Sequence, residues 1–289
     1  MTPALWGLAA AACWGTTEFV ARLSGRGIGP ANTLLGMLVV AMAIVSLWVW
    51  IDGAAFSWTA AGLHWLVATG VGFAGGLLLL FASLTRGPVS VASPVVSSYP
   101  AFIVVGALVL GIVPTLLQGA AIVAILVGVA VVARYAHPEE PGEEGADPDR
   151  RIWPTVALGV ASAAVFAMGI MAGREASAIY GELHALWFNR LFALLSLAAY
   201  MLIGRTAVDL PRRWWPALAA MGLLDTLGVM AIFIGTAGEG AAVAAATSAP
   251  VTVVTVVLAA IFLRERVPPI QWCGIAIVVA GAAMLGYYG

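Results

Sequence analysis

The sequence predicts an all-α integral membrane protein whose ten transmembrane helices form two inverted five-helix repeats. Three observations carry this expectation. Of 289 residues, 62% are hydrophobic and only 9% are charged, against roughly 25% charged in soluble domains. Ten mostly apolar stretches of about 20 residues, the length of a bilayer-spanning helix, follow one another along the chain. The second half repeats features of the first. This composition excludes a soluble globular domain and a disordered chain, which needs low hydrophobicity and high charge. A net charge of -1 is not the strongly basic balance of a nucleic-acid binder. The apolar runs are continuous rather than alternating, which excludes a transmembrane barrel.

The first expected span, 4–23, lacks the basic start of a secretory leader and is interrupted by Glu18, so it reads as a retained helix. Spans 32–51, 61–84, 88–112 and 115–135 complete a first repeat at 1–136. Then comes His137-Pro138-Glu139-Glu140-Pro141-Gly142-Glu143-Glu144-Gly145-Ala146-Asp147-Pro148-Asp149, acidic and rich in Pro and Gly. It has no apolar face to pack, so 137–151 reads as a solvated linker. Spans 153–173, 183–203, 215–235, 240–262 and 269–288 make the second repeat, 152–289. Most separators are short and carry Gly, Pro or Arg, as in Ser24-Gly25-Arg26-Gly27 and Arg86-Gly87-Pro88.

The shift that carries Ser98-Tyr99-Pro100 onto Ser248-Ala249-Pro250 also carries Gly72 onto Gly222. A slightly longer one carries Gln118 onto Gln271 and Gly128 onto Gly281. The change is absorbed near Arg264-Glu265-Arg266, which the first half lacks. An odd number of spans per repeat makes the second copy enter the membrane from the other side. Inverted repeats mark secondary transporters, with a substrate site near the midplane between the halves. No G-x-x-x-x-G-K-[ST] nucleotide motif is present, which argues against a built-in ATP motor. A membrane-embedded enzyme finds no nucleophile–base pairing or His/Cys cluster; a non-transporting scaffold or receptor remains as an alternative.

Cys13-Trp14-Gly15-Thr16-Thr17-Glu18 in the first span resembles a known pattern. So do Ser248-Ala249-Pro250, Phe262-Leu263-Arg264-Glu265-Arg266-Val267 and Gln271-Trp272-Cys273-Gly274, with Gly281 beyond. The chain is similar to the EamA-type branch of the drug/metabolite transporter superfamily over nearly its whole length. The resemblance implies two five-helix repeats, a central cavity walled by both, and a secondary transporter of small metabolites or drugs, often an exporter. Two departures stand out. The family often has an Arg in its second span; here the second repeat has Arg190 but the first has Met37 at the matching position. The first-half turn, Gly111-Ile112-Val113-Pro114, lacks the Glu-Arg pair.

A charge at the centre of a lone membrane helix costs at least about 2.5–3.5 kcal/mol, so intramembrane charges face protein or water. Three qualify: Glu18, Arg190 and Asp225. Glu18 lies one turn after Trp14 on the same helical face. It is the first candidate for a proton-coupling carboxylate, and the Trp14 ring could stabilise a cation beside it. The bland alternatives are a hydrated helix end or an i,i+4 pair with Arg22. Asp225 lies mid-span and is the second proton-coupling candidate; the alternative is a structural ion pair with Arg190. Arg190 is read as structural or as a ligand for an anionic group.

Pro94, Pro100 and Pro250 remove backbone donors and kink spans four and nine. Ser90, Ser93, Ser97, Ser98, Tyr99, Thr247 and Ser248 place hydroxyls near those kinks. The expected substrate-binding set is Trp14, Thr17, Ser97, Tyr99, Trp187, Arg190 and Ser248. Two carboxylates read as unpaired outnumber one arginine, which ranks uncharged or cationic substrates, such as amines, amino acids or small aromatic drugs, first. The proton is the expected coupling ion. No metal or cofactor is expected: His64 and His184 have no second ligand nearby, and Cys13 and Cys273 read as small apolar fillers. Gly72 and Gly76 read as close helix contacts, and most tryptophans as interfacial anchors.

All basic residues are arginine. With the abundance of Ala, Gly and Pro, this fits a GC-rich bacterial genome and hence a plasma-membrane protein. All 13 arginines except Arg174 and Arg190 fall on the side of the odd-numbered loops. By the positive-inside rule both termini lie outside; the family resemblance implies cytoplasmic termini.

Overall fold

The computed structural model describes residues 2–53, 59–109, 111, 113–135, 148–236 and 241–288. Residues 137–147, most of the expected linker, lie outside the described residues. Among the described residues the chain is helical: α1 (Pro3–Ile28), α2 (Pro30–Asp52), α3 (Leu63–Arg86), α4 (Val89–Val96), α5 (Tyr99–Val109), α6 (Leu116–Arg134), α7 (Pro148–Tyr180), α8 (Glu182–Ile203), α9 (Trp215–Thr236), α10 (Ala241–Ser248), α11 (Val251–Phe262) and α12 (Pro269–Tyr288). Short 3₁₀ turns precede α3 and α9. Helix α7 starts at Pro148, so the last residues assigned to the linker are helical backbone. Proline suits a first helical position, where its missing N–H costs nothing.

Among the described residues, eight stretches are long and apolar enough to cross a membrane, and Ala246–Phe262 is apolar but shorter. Helix α1 has 26 residues yet is not among the eight, because Thr16, Thr17, Glu18 and Arg22 dilute its apolar run. It packs against α3, α9, α10 and α11, and a face packed on protein can carry polar groups that lipid would reject, while Leu5, Leu8 and Leu23 of α1 stay exposed. Spans four and nine are each two helices. Span four breaks at Ser97-Ser98 and span nine at Ala249-Pro250, two residues apart in the repeat's register and each close to the repeated proline.

The two halves pack reciprocally. Helix α3 lies on α7, and its counterpart α9 lies on α1; α6 packs on its own counterpart, α12. At that last crossing, a Cβ built on Gly128 would fall 2.8 Å from the Gly274 carbonyl oxygen, and one on Gly281 would fall 3.0 Å from that of Ala121. The shift that takes Gly128 to Gly281 takes Ala121 to Gly274, so both are one contact seen from either half. The partner number falls as the α6 number rises, so α6 and α12 run antiparallel. Gly29 and Gly181 also correspond, each entering the second helix of its half with φ of 83° and 77°, a region that favours glycine.

Small residues let membrane helices approach closely, and such packing replaces the weak hydrophobic drive within lipid. A Cβ on Gly72 would fall 2.6 Å from Gly169 Cα, and one on Gly76 2.8 Å from the Phe166 ring, as their close-contact reading expects. Outward residues such as Trp50, Leu116, Leu202 and Ile203 are large, apolar and exposed, as a lipid-facing surface requires. Gly128→Val is expected to lower stability by about 1–3 kcal/mol through overpacking, read as a lower melting temperature in detergent. Gly119→Ala on the same helix, where a Cβ meets nothing within 4 Å, is expected to leave melting unchanged.

Candidate functional site

Among the described residues, two polar clusters hold the intramembrane charges Glu18, Arg190 and Asp225. The first joins α1, α4 and α11. The Ser93 hydroxyl donates to Glu18 Oε2 at 2.6 Å, and the Thr255 hydroxyl reaches the same oxygen at 2.9 Å. Thr255 Oγ1 is also 3.0 Å from the Val251 carbonyl and 3.2 Å from that of Gly15. A hydroxyl has one proton, and an ionised carboxylate is the stronger acceptor. Ser93 Oγ lies 3.3 Å from Thr252 Oγ1, and the Ser97 and Thr252 hydroxyls are hydrogen-bonded to each other. The chain Glu18–Ser93–Thr252–Ser97 thus runs from a half-buried carboxylate to the break in span four.

The second group joins α8, α9 and α3. Arg190 Nη2 and Asp225 Oδ2 are 2.6 Å apart, with both side chains buried. The guanidinium sits 4.2 Å from the centre of the Phe73 ring, a cation–π arrangement. Beside it, Asn189 Nδ2 donates to Thr69 Oγ1 at 3.0 Å and to its carbonyl at 3.1 Å.

The structure joins Glu18 and Ser97 through two intervening hydroxyls. Trp14 is half-buried and packs on α9: a Cβ on Gly228 would fall 2.6 Å from Trp14 Nε1, one turn from Asp225. Thr17 is buried and its hydroxyl donates to the Cys13 carbonyl at 3.0 Å, so it serves its own helix. Trp187 Nε1 donates to Ser46 Oγ on α2 at 3.0 Å, which anchors it between helices away from the hydroxyl chain. Tyr99 opens α5 and is half-buried, with the Arg174 guanidinium acting on it electrostatically. Ser248 ends α10, also half-buried. Arg22, the alternative partner of Glu18, is fully buried and donates to the Leu84 carbonyl.

Of the two open readings of Asp225, the structure has the ion pair with Arg190, so the two carboxylates counted as unpaired in ranking substrates become one, Glu18. Arg22, on the same helix as Glu18, is a buried cation beyond the single arginine of that count. Thr252 and Thr255 were missed as site residues. They lie at i and i+3 just after Pro250, a spacing that puts both hydroxyls on one face; Ser93 and Ser97 face them at i and i+4.

The sequence model of the EamA-like transporter family matches residues 1–134 and 153–287. No curated protein matches the chain. Among solved structures, 19 chains match. One, a crystal structure described only as that of a protein, is 21% identical, with 98% of this chain and 95% of that chain covered and a TM-score of 0.63; at that identity the likeness speaks for the fold alone. Two matched segments that together take in almost every residue outside the central acidic stretch place the chain in the EamA-like transporter family, within the drug/metabolite transporter superfamily.

Proposed function

We propose that this protein is a proton-coupled secondary transporter exporting small neutral or cationic metabolites or drugs, such as amines or amino acids. Its halves, 1–136 and 152–289, are inverted repeats joined by the acidic linker in a bacterial plasma membrane. The antiparallel run of the equivalent helices α6 and α12 supports the inversion. The observation that carries the coupling proposal is Glu18 Oε2, held by two hydroxyls from two helices where the broken spans meet α1. A carboxylate bound only through neutral hydroxyl donors can exchange those bonds for a proton. It can also exchange them for a cationic substrate, and competition between the two at one group couples their fluxes. Asp225, already paired, is the reserve site. Trp14, Thr17, Ser97, Tyr99, Trp187, Arg190 and Ser248 remain the proposed substrate-facing set, with Ser97 nearest the coupling group along the hydrogen-bond chain.

The test is flux in proteoliposomes of purified protein under an imposed pH gradient, with a library of radiolabelled amines and amino acids. We expect at least one amine to accumulate against its gradient, with accumulation lost when a protonophore is added. Equilibration without accumulation would make the protein a facilitator. Absence of any flux together with library binding would favour a receptor.

A further inference from the structure

We propose that α4 is a hinged gate and that Glu265 with Gln271 is its latch, closing the arginine-rich end of the pathway in this conformation. At its first residues α4 is held from the other half of the protein. Glu265 Oε1 accepts from the Ser90 backbone N–H at 2.8 Å and Oε2 from that of Val89 at 3.1 Å. A carboxylate here satisfies two of the helix's orphan donors and faces the positive end of its dipole. Gln271 Nε2, on fully buried Gln271, donates to the Ser90 carbonyl at 3.3 Å and its hydroxyl at 3.2 Å. Arg264 takes φ of 56°, rare for a residue with a side chain, where the chain turns back after α11 and presents Glu265 to α4.

The other end of α4 is a break. Helix α4 stops at Val96, and the Ser97-Ser98 turn separates it from α5. Pro94 within α4 and Pro100 beyond the turn further reduce the hydrogen bonds holding the two segments in line. The eight-residue segment is therefore hinged at one end and latched at the other, and it carries Ser93 of the Glu18 site between them.

Among the described residues the latch is seen at one end. The equivalent first-half turn, Gly111-Ile112-Val113-Pro114, carries no carboxylate. Gln118, the counterpart of Gln271, does not hold the start of a broken span: its Oε1 accepts from Thr115 N of its own cap at 2.8 Å and its Nε2 donates to the Tyr288 carbonyl at the end of α12 at 3.1 Å. A transporter whose halves move against each other must break contacts that cross between them at the closed end. Three of these four contacts, both from Glu265 and one from Gln271, are with α4 backbone, so no side-chain rearrangement within α4 can release them. The inference rests on the transporter reading but not on Glu18 as the coupling site.

The test needs neither substrate nor gradient. A single reporter, Ala92→Cys, fully buried one turn behind the latch, is placed in a Cys13→Ala/Cys273→Ala background. An impermeant thiol reagent is applied to sided membrane vesicles of each orientation. Glu265→Ala is expected to speed labelling from the arginine-rich side roughly tenfold, as loss of a charge-assisted contact made in one state only shifts the population. Labelling from the other side should not rise. Glu265→Gln, which keeps one acceptor, should fall between, and Gln271→Met should give a smaller rise of the same sidedness. Wild-type rates in a folded Glu265→Ala protein, or equal gains from both sides, would overturn the latch. If Glu265→Ala does not fold, an unchanged Gln271→Met rate overturns it. Adding Glu18→Gln should leave the Glu265→Ala effect intact, which separates failure of the latch from failure of the coupling proposal.

Discussion

Asp225→Asn is expected to give a poorly expressed, unstable protein. The substitution keeps size and shape but removes the negative charge 2.6 Å from the Arg190 guanidinium. Arg190 is fully buried, and among the described groups around it Asn189 and the Phe73 ring are both neutral. Removing one partner of a buried ion pair costs about 3–5 kcal/mol, because the survivor is left uncompensated. Replacing both charges at once is a different experiment: Arg190→Met with Asp225→Leu should recover much of the loss, since a buried pair is often no better than well-packed apolar residues. Thermal melting in detergent by fluorescence-detected size exclusion measures both. A stable Asp225→Asn protein that has lost gradient-driven flux would instead make Asp225 a coupling carboxylate.

Glu18→Gln should have the opposite profile, with stability near wild type and coupling lost. The amide oxygen still accepts from Ser93 and Thr255, so the junction of α1, α4 and α11 keeps its hydrogen bonds. Because the amide does not ionise, a substrate and a proton no longer compete for it. Accumulation driven by a pH gradient should fall to the level of empty liposomes, and the remaining substrate binding should become independent of pH. With wild-type Glu18, binding of a cation should strengthen as pH rises through the carboxyl's titration range and weaken as it falls, because only the ionised form attracts the cation. Wild-type gradient-driven flux with an unchanged pH profile in Glu18→Gln would remove Glu18 from the mechanism and leave Asp225 as the site to examine.

The route to Glu18 and Asp225 was short in sequence terms. Each is a carboxylate inside an apolar run, and the bilayer makes such a residue costly enough to stand out. What each does depends on partners far along the chain. Ser93 is 75 residues from Glu18 and Thr255 is 237 away; no local period relates them. Asp225 and Arg190 sit on neighbouring spans, so their pairing was one of two open readings, and helix rotation decided it by turning both inward. Thr17 adjoins Glu18 in sequence, but its hydroxyl bonds the Cys13 carbonyl of its own helix, the i−4 back-bond that threonine makes within helices.

The Leu-x-Glu-Arg turn had been useful only as a mark of resemblance. In three dimensions its glutamate caps a helix of the opposite half, and the lack of such a pair in the first half becomes a difference between the two ends of the pathway.

By itself the sequence determined the elements: an all-α membrane chain, the approximate placement of its apolar segments, the breaks beside Pro100 and Pro250, and the repeat. These depend on run length, on proline's missing donor and on glycine's size, which are properties of short stretches. The tertiary structure alone decided that α1 packs its polar face on α9, α10 and α11, that Asp225 is spent on Arg190, and that Glu18 meets hydroxyls from α4 and α11. It also decided that Glu265 reaches α4. Those outcomes depend on how helices are rotated and paired, and in a bilayer that pairing is set by close packing at positions such as Gly72, Gly128 and Gly274 rather than by hydrophobicity. A hydropathy pattern that is apolar on every face carries no record of which face meets which partner.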